Sequence, residues 1–238
     1  MKLMTTLLIV VWLAAPAMAA DEEATSGPWA GKASLGYLAT SGNTDNSNLN
    51  TAFEIGYTAG NWAHIFDASA IFATEDSATT AEAYAAGWKS ERKLSEVNFL
   101  YGRLNWRKDR FSGYDQQFAQ TVGYGRRLID KERHTLNGEV GLGARQSELA
   151  DGTDENEAIL TGGLYYKWAL SETTTFTQDL LVESGSENTY LESKTALSAS
   201  LVGDLALVVS YTIKSNSDVP AGTEKTDTFT ALALEYAF

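Results

Sequence analysis

His64 and His134 are the only two histidines in a chain of 238 residues that has no cysteine. These counts limit the available chemistry. Thiolate catalysis, disulfides and cysteine metal sites are excluded. A serine hydrolase needs a Ser activated by a His, which a third polar group orients. No Ser falls beside either histidine on the same strand face. A carboxylate–His protease would place its pair high on the outer side of a barrel, whereas both histidines follow short turns. The expectation is no catalytic residue, no enzyme and no cofactor.

A second candidate is "DGTDENE" at Asp151–Glu157, which holds four carboxylates. Carboxylates with carbonyl oxygens bind Ca²⁺. The stretch lacks EF-hand spacing, with no Glu at the twelfth position, so a solvated acidic loop is expected and no metal. The same reading applies to "SGNTDNSN", which begins at Ser41. Gly36, Gly56, Gly87, Gly123, Gly125, Gly141, Gly143 and Gly163 stand inside strands. They read as bends and as room for large neighbours such as Tyr165 and Phe229, not as phosphate loops.

The third candidate is a mixed-sign set of charges on one strand face. Lys32, Lys89, Arg103, Arg107, Arg145, Lys167 and Lys194 oppose Glu54, Asp67, Glu91, Glu139, Asp179, Glu183 and Glu192. Two kinds of chemistry suit such a set. Ion pairs would cross-link a closed interior, or the charges would line a narrow passage for ions or small solutes.

The elements that carry these charges alternate with period two from Trp29 onward. "LTGGLYYKW" places Leu160, Gly162, Leu164, Tyr166 and Trp168 on one face. "LALVVSYTI" does the same with Leu205, Leu207, Val209, Tyr211 and Ile213. About twelve segments of roughly ten residues follow, near the length of a tilted membrane-crossing strand. Strands are expected from Trp29, Leu49, Trp62, Glu82, Asn98, Phe118, His134, Ala158, Thr174, Leu191, Leu205 and Thr228. The connections alternate in length. Those at 41–48, 75–81, 108–116, 147–157, 184–189 and 215–226 are longer than those at 60–61, 92–96, 129–133, 171–173 and 203–204. Trp29, Tyr57, Trp62, Trp88, Tyr124, Trp168, Tyr236 and Phe238 gather near the short-turn end. Together these features predict an all-β fold: an antiparallel up-and-down transmembrane β-barrel of about 12 strands, apolar outside and charged inside.

The formal net charge is -13 and the pI about 4.6, so no nucleic-acid partner is expected. Residues 1–19 read as a signal peptide, with Lys2, an apolar run and Ala17-Met18-Ala19. Residues 20–28 read as a flexible leader and residues 29–238 as the barrel. The expected place is the cell outer membrane. The expected partners are its lipid and, during insertion, a barrel assembly machinery that reads the terminal Tyr236 and Phe238. The ligand stays unknown.

"SGNTD" at Ser41–Asp45, "KDRFSGYDQ" at Lys108–Gln116 and "GYGRRLIDKERHTLNGEVGLGAR" at Gly123–Arg145 resemble the YdiY-like family of salt-induced outer-membrane proteins. The resemblance covers about residues 29–238. It implies an outer-membrane barrel and a link to salt or osmotic adaptation. It supplies no activity, ligand or catalytic residue. The leading expectation is a non-enzymatic envelope protein, structural or weakly channel-forming. A narrow pore stands second and a membrane-surface enzyme third.

Overall fold

The computed structural model describes residues 27–40, 46–76, 78–110 and 112–238. The signal peptide and most of the leader lie outside these residues, as does Ser41–Asp45. The twelve strands are β1 (Trp29–Thr40), β2 (Asn46–Ala59), β3 (Trp62–Glu75), β4 (Ala78–Lys93), β5 (Asn98–Asp109) and β6 (Tyr114–Lys131), followed by β7 (His134–Leu149), β8 (Asp154–Ala169), β9 (Thr174–Ser184), β10 (Thr189–Val202), β11 (Leu205–Asn216) and β12 (Thr226–Ala237). Each pairs antiparallel with its neighbour in sequence, and β12 closes on β1.

The wall is apolar on the outside and polar within. Val122, Val140, Leu142 and Leu160 are each more than 60% exposed on the outer face, whereas Arg145 is fully buried and Glu183 is 1% exposed. A soluble core would invert this arrangement. Lipid demands it, because the outer wall meets hydrocarbon and closure satisfies every strand edge.

The loop rim departs from the expected lengths. Its connections are 41–45, 76–77, 110–113, 150–153, 185–188 and 217–225, several residues shorter than the sequence pattern suggested. The physical reason is that Ser, Thr and Asn at the strand ends continue the ladders instead of breaking them. Ser47 and Thr74 hydroxyls pair across β2 and β3 at 2.7 Å. Ser215 and Thr226 do so across β11 and β12 at 3.0 Å. A ladder gives the backbone better partners than a polar loop would. Only 217–225 keeps real length.

At the turn rim, Trp29 packs on Tyr57 with ring centroids 4.6 Å apart, and His64 stacks between Trp62 and Trp88 at 6.0 and 6.2 Å. The closing seam joins here. Gly31 N–H donates to the Phe238 carbonyl at 2.8 Å, and Phe238 N–H returns the bond at 2.9 Å. Register continues from Lys32–Ala237 to Leu35–Leu234, a shorter stretch than at any other seam among the described residues. Beyond it the Leu232 carbonyl lies where a side chain on Gly36 would stand.

Candidate functional site

Alternation on β5 sends Arg103 and Arg107 inward, while their neighbours Leu104 and Trp106 face out. Arg107 crosses the lumen to Glu183 on β9 at 2.6 Å. Arg145 on β7 holds Glu157 on β8 at 2.5 Å and stands 3.6 Å from the same Glu183. Closer to the turn rim, Glu139 on β7 receives Arg103 at 2.7 Å and also Lys89 from β4. Lys89 reaches Glu91 at 2.7 Å as well. Two carboxylates thus each serve two cations, and the chords link strands that are not wall neighbours. Buried pairs of this kind hold only when geometry and further hydrogen bonds offset desolvation.

Aromatic rings complete this packed half. Arg107 lies over the Tyr190 ring at 3.8 Å, and the Tyr190 hydroxyl donates to Glu192 at 2.5 Å. Lys89 and Arg103 both stand over Tyr165, at 5.2 and 5.6 Å. The inward glycines give these rings their space. Tyr101 covers Gly123 and Gly141, Phe99 covers Gly125, and Tyr165 covers Gly163. Phe229, the other aromatic expected to fill a gap, stacks instead under Lys214 at 5.4 Å.

The opposite wall is open. Lys32 lies 4.0 Å from Glu54 and 3.9 Å from Glu235, and the side chains of Lys32 and Glu54 are 45% and 49% exposed. Small inward residues surround them: Ser34, Ala52, Ser69, Ala196, Ser210 and Ala231. Asp67 and Asp179 share the field of Lys194 and of Glu54 and form no ion pair among the described residues. Lys167 is exposed towards the turn rim, also without an ion pair among the described residues. Among the charges expected in the lumen, the fold gathers Lys89, Arg103 and Glu139 into one cluster. It puts Arg107 and Arg145 into a second, and Lys32 with Glu54 into a third. Lys167, Asp179 and Lys194 stay outside all three.

The segment 217–225 crosses the barrel mouth. Tyr114 on β6 donates its hydroxyl to the Asp218 carbonyl at 3.0 Å. Gly113 sits beneath Pro220, whose Cδ is 2.7 Å from the place a Cβ would occupy. Gly113 also has φ +83°, a left-handed conformation that other residues adopt at a cost. Asn188 in the connection 185–188 anchors this segment. Its side-chain oxygen accepts from Asp218 N–H at 3.2 Å and from the Ser217 hydroxyl at 3.3 Å, and its amide donates to Asn216 at 2.7 Å. The Asn188 carbonyl accepts from Arg145. Glu157 accepts from the Glu187 N–H at 2.9 Å. The lid and the inner ion pairs therefore share one hydrogen-bonded network.

Sequence reasoning missed Asn188, which looks like an ordinary loop residue, and missed that β6 would receive the lid. It assigned Glu157 to a solvated acidic loop. Strand β8 begins at Asp154, and alternation turns Glu157 into the lumen instead. Asp151 alone keeps the loop role. Its carboxylate accepts from the Thr153 N–H at 2.9 Å, which holds its pKa below the usual carboxylate value. Neither histidine faces the lumen, but the expectation that no Ser lies beside one fails for His64, because register sets Ser90 of β4 directly opposite it on the outer face. His134 Nδ1 shares a hydrogen bond with the Tyr166 hydroxyl at 2.8 Å and stacks on Trp168 at 5.4 Å.

Residues 33–238 match the family model described as "Protein of unknown function, DUF481". The "Uncharacterized protein YdiY" of Escherichia coli (strain K12) is 33% identical over 221 residues, which cover 91% of this chain and 86% of that protein. Among solved structures, the COG4313 outer membrane channel from Pseudomonas putida F1 superposes with TM-score 0.54 at 9% identity, over 91% of this chain and 97% of that one. The NanC porin superposes with TM-score 0.50 at 11% identity, over 87% and 97%. At such identities the two structures share the barrel fold with this chain.

Proposed function

The chain belongs to the family described as protein of unknown function, DUF481, and from that premise we propose that it is a non-enzymatic protein of the cell outer membrane. Its lumen forms a narrow passage for ions or small polar solutes, and the outer mouth carries a lid. The turn rim faces the periplasm, as short turns do in such barrels. One observation carries the passage reading: Lys32 and Glu54 point into the lumen and are half exposed there, so the lumen is accessible to water at their level. Inward carboxylates outnumber inward cations, since Asp67, Asp179 and Glu192 add to the bridged acids. Such a lumen favours cations.

The second reading is a closed structural barrel in the envelope. The chords Arg107–Glu183 and Arg103–Glu139 favour it, because they fill the other half of the lumen.

The deciding experiment is single-channel recording of the refolded protein in a planar bilayer, beside a variant lacking residues 219–223. Cation-preferring steps that grow when the lid is shortened support the passage. A correctly folded, heat-modifiable protein that carries no current in either form supports the closed barrel and removes the passage reading.

A further inference from the structure

The outward-facing cations are treated differently at the two rims. At the loop rim, Lys108 is paired with Asp115 at 3.0 Å and Arg110 with Glu82 at 3.1 Å. At the turn rim, Arg92 and Arg126 face outward with no carboxylate partner among the described residues. Their direction follows from register. Arg92 pairs with Trp62 and lies over its ring at 5.6 Å, and Arg126 pairs with Asn98. The aromatic residues at this level, Trp62, Trp88 and Tyr124, mark the membrane interface.

The two arginines frame one site. The rung from Arg92 runs through Leu100 to Tyr124, and Arg126 stands two residues beyond Tyr124 on β6. Strand spacing and rise then put the two Cα atoms about 12 Å apart, so both long side chains can converge on one anion. Between them lies Leu100, 46% exposed, with Leu104 and Val122 continuing the apolar strip into the membrane. The floor is fixed in place: the Tyr124 hydroxyl donates to Asn98 at 2.5 Å, and Asn98 donates to Ser95 at 3.0 Å. The Arg92 guanidinium lies against the Trp62 ring, and its planar fork of N–H donors suits a phosphate.

We propose that Arg92 and Arg126 bind the phosphate of an anionic phospholipid at the turn rim, with its acyl chain along Leu100 and Leu104. A lipid fits better than a soluble anion, because both guanidinium groups lie on the membrane-facing side of the wall and an apolar track leads away from them. Only the name of the leaflet, periplasmic, rests on the orientation proposed above.

The test is native mass spectrometry of the full barrel in detergent, titrated with phosphatidylglycerol or phosphatidylethanolamine of matched chains. The expected result is preferential retention of one phosphatidylglycerol, weakened roughly tenfold or more in the Arg92→Gln/Arg126→Gln variant. The Lys108→Gln/Arg110→Gln variant should retain it unchanged. Both variants are first shown to be heat-modifiable on gels. Equal retention of the two lipids overturns the proposal, as does equal loss in the two variants. Displacement by soluble glycerol phosphate at equal concentration would reassign the pair to a free anion. Co-sedimentation with cell-wall sacculi that needs the same arginines, without lipid preference, would reassign it to a periplasmic polymer.

Discussion

Arg107 on β5 and Glu183 on β9 meet at 2.6 Å across the lumen, although three strands separate them along the wall. Glu183 also faces Arg145 at 3.6 Å and is 1% exposed. Removing the carboxylate leaves the buried Arg107 guanidinium without a carboxylate partner and Arg145 with Glu157 alone. Glu183→Gln is expected to destabilise the barrel by about 3–5 kcal/mol, read as a lower urea midpoint in vesicles. The double change Arg107→Met/Glu183→Leu, which leaves Arg145 with Glu157, should recover most of that loss. If the double variant is no more stable than the single one, burial of unpaired charge is not the cause.

Gly113 is the seat of the lid. Gly113→Val adds a branched side chain at φ +83° and drives it into Pro220. The backbone strain alone is about 1–2 kcal/mol, and lifting of the segment 217–225 would relieve the clash with Pro220. Trypsin should then cleave after Lys225 faster than in the unaltered barrel, with the strands still protected. An unchanged cleavage rate would argue against a lid seated on Gly113.

Asn188 ties that segment to the inner ion pairs through Asp218, Ser217 and Arg145. Asn188→Ala keeps the backbone carbonyl that Arg145 uses and removes only the side-chain bonds. The expected effect is a mobile lid over intact ion pairs. Amide exchange should rise at Asp218 and Thr189 but not on β7. Equal protection at both places would mean that Asn188 does not anchor the lid.

Phe238 stacks on Phe53 and Tyr236 at 6.4 and 6.5 Å. Phe238→Ala is expected to cost about 1 kcal/mol and to slow insertion into vesicles, seen as delayed appearance of the heat-modifiable band. Insertion at the normal rate would remove the terminal ring from the insertion signal.

Asp151 gives a pH-dependent contact. Its carboxyl pKa is lowered in the fold by the Thr153 N–H. A depressed pKa contributes stability that is present above the ordinary Asp value and lost as pH falls through the folded one. Exchange of the Thr153 amide should therefore accelerate, relative to its intrinsic rate, only below about pH 4. A flat relative rate down to pH 2 would show that this bond does not hold the turn.

Strand number, order and facing were legible because lipid imposes a strict period of two, as at Val140 and Leu142 against Glu139 and Gly141. The histidines were legible for the same reason, since parity sent both outward. Partner choice across the lumen was not legible. Arg107 meets Glu183 rather than a nearer carboxylate because strand stagger sets the heights of residues on distant strands, and no local pattern encodes stagger. Asn188 was invisible because its role comes from a segment some thirty residues away folding back over it. The strand ends were misjudged where Ser, Thr and Asn extended the ladders, because these residues suit turns and hydroxyl pairs equally.

The short register between β1 and β12 makes the wall unequal around its circumference. Every other seam joins neighbours in sequence, whereas this one must bring together ends separated by roughly 200 residues of chain. Hairpins can assemble one after another, each formed locally, but the ring has a single clasp with few rungs and it fastens last. Until it fastens, two raw edges face the bilayer, where unpaired backbone is intolerable. The same clasp is where the cylinder should first part under force or heat, with β12 peeling from Gly31 while the remaining sheet stays joined. The durability of the whole barrel is thus set by its few closing bonds rather than by its average wall.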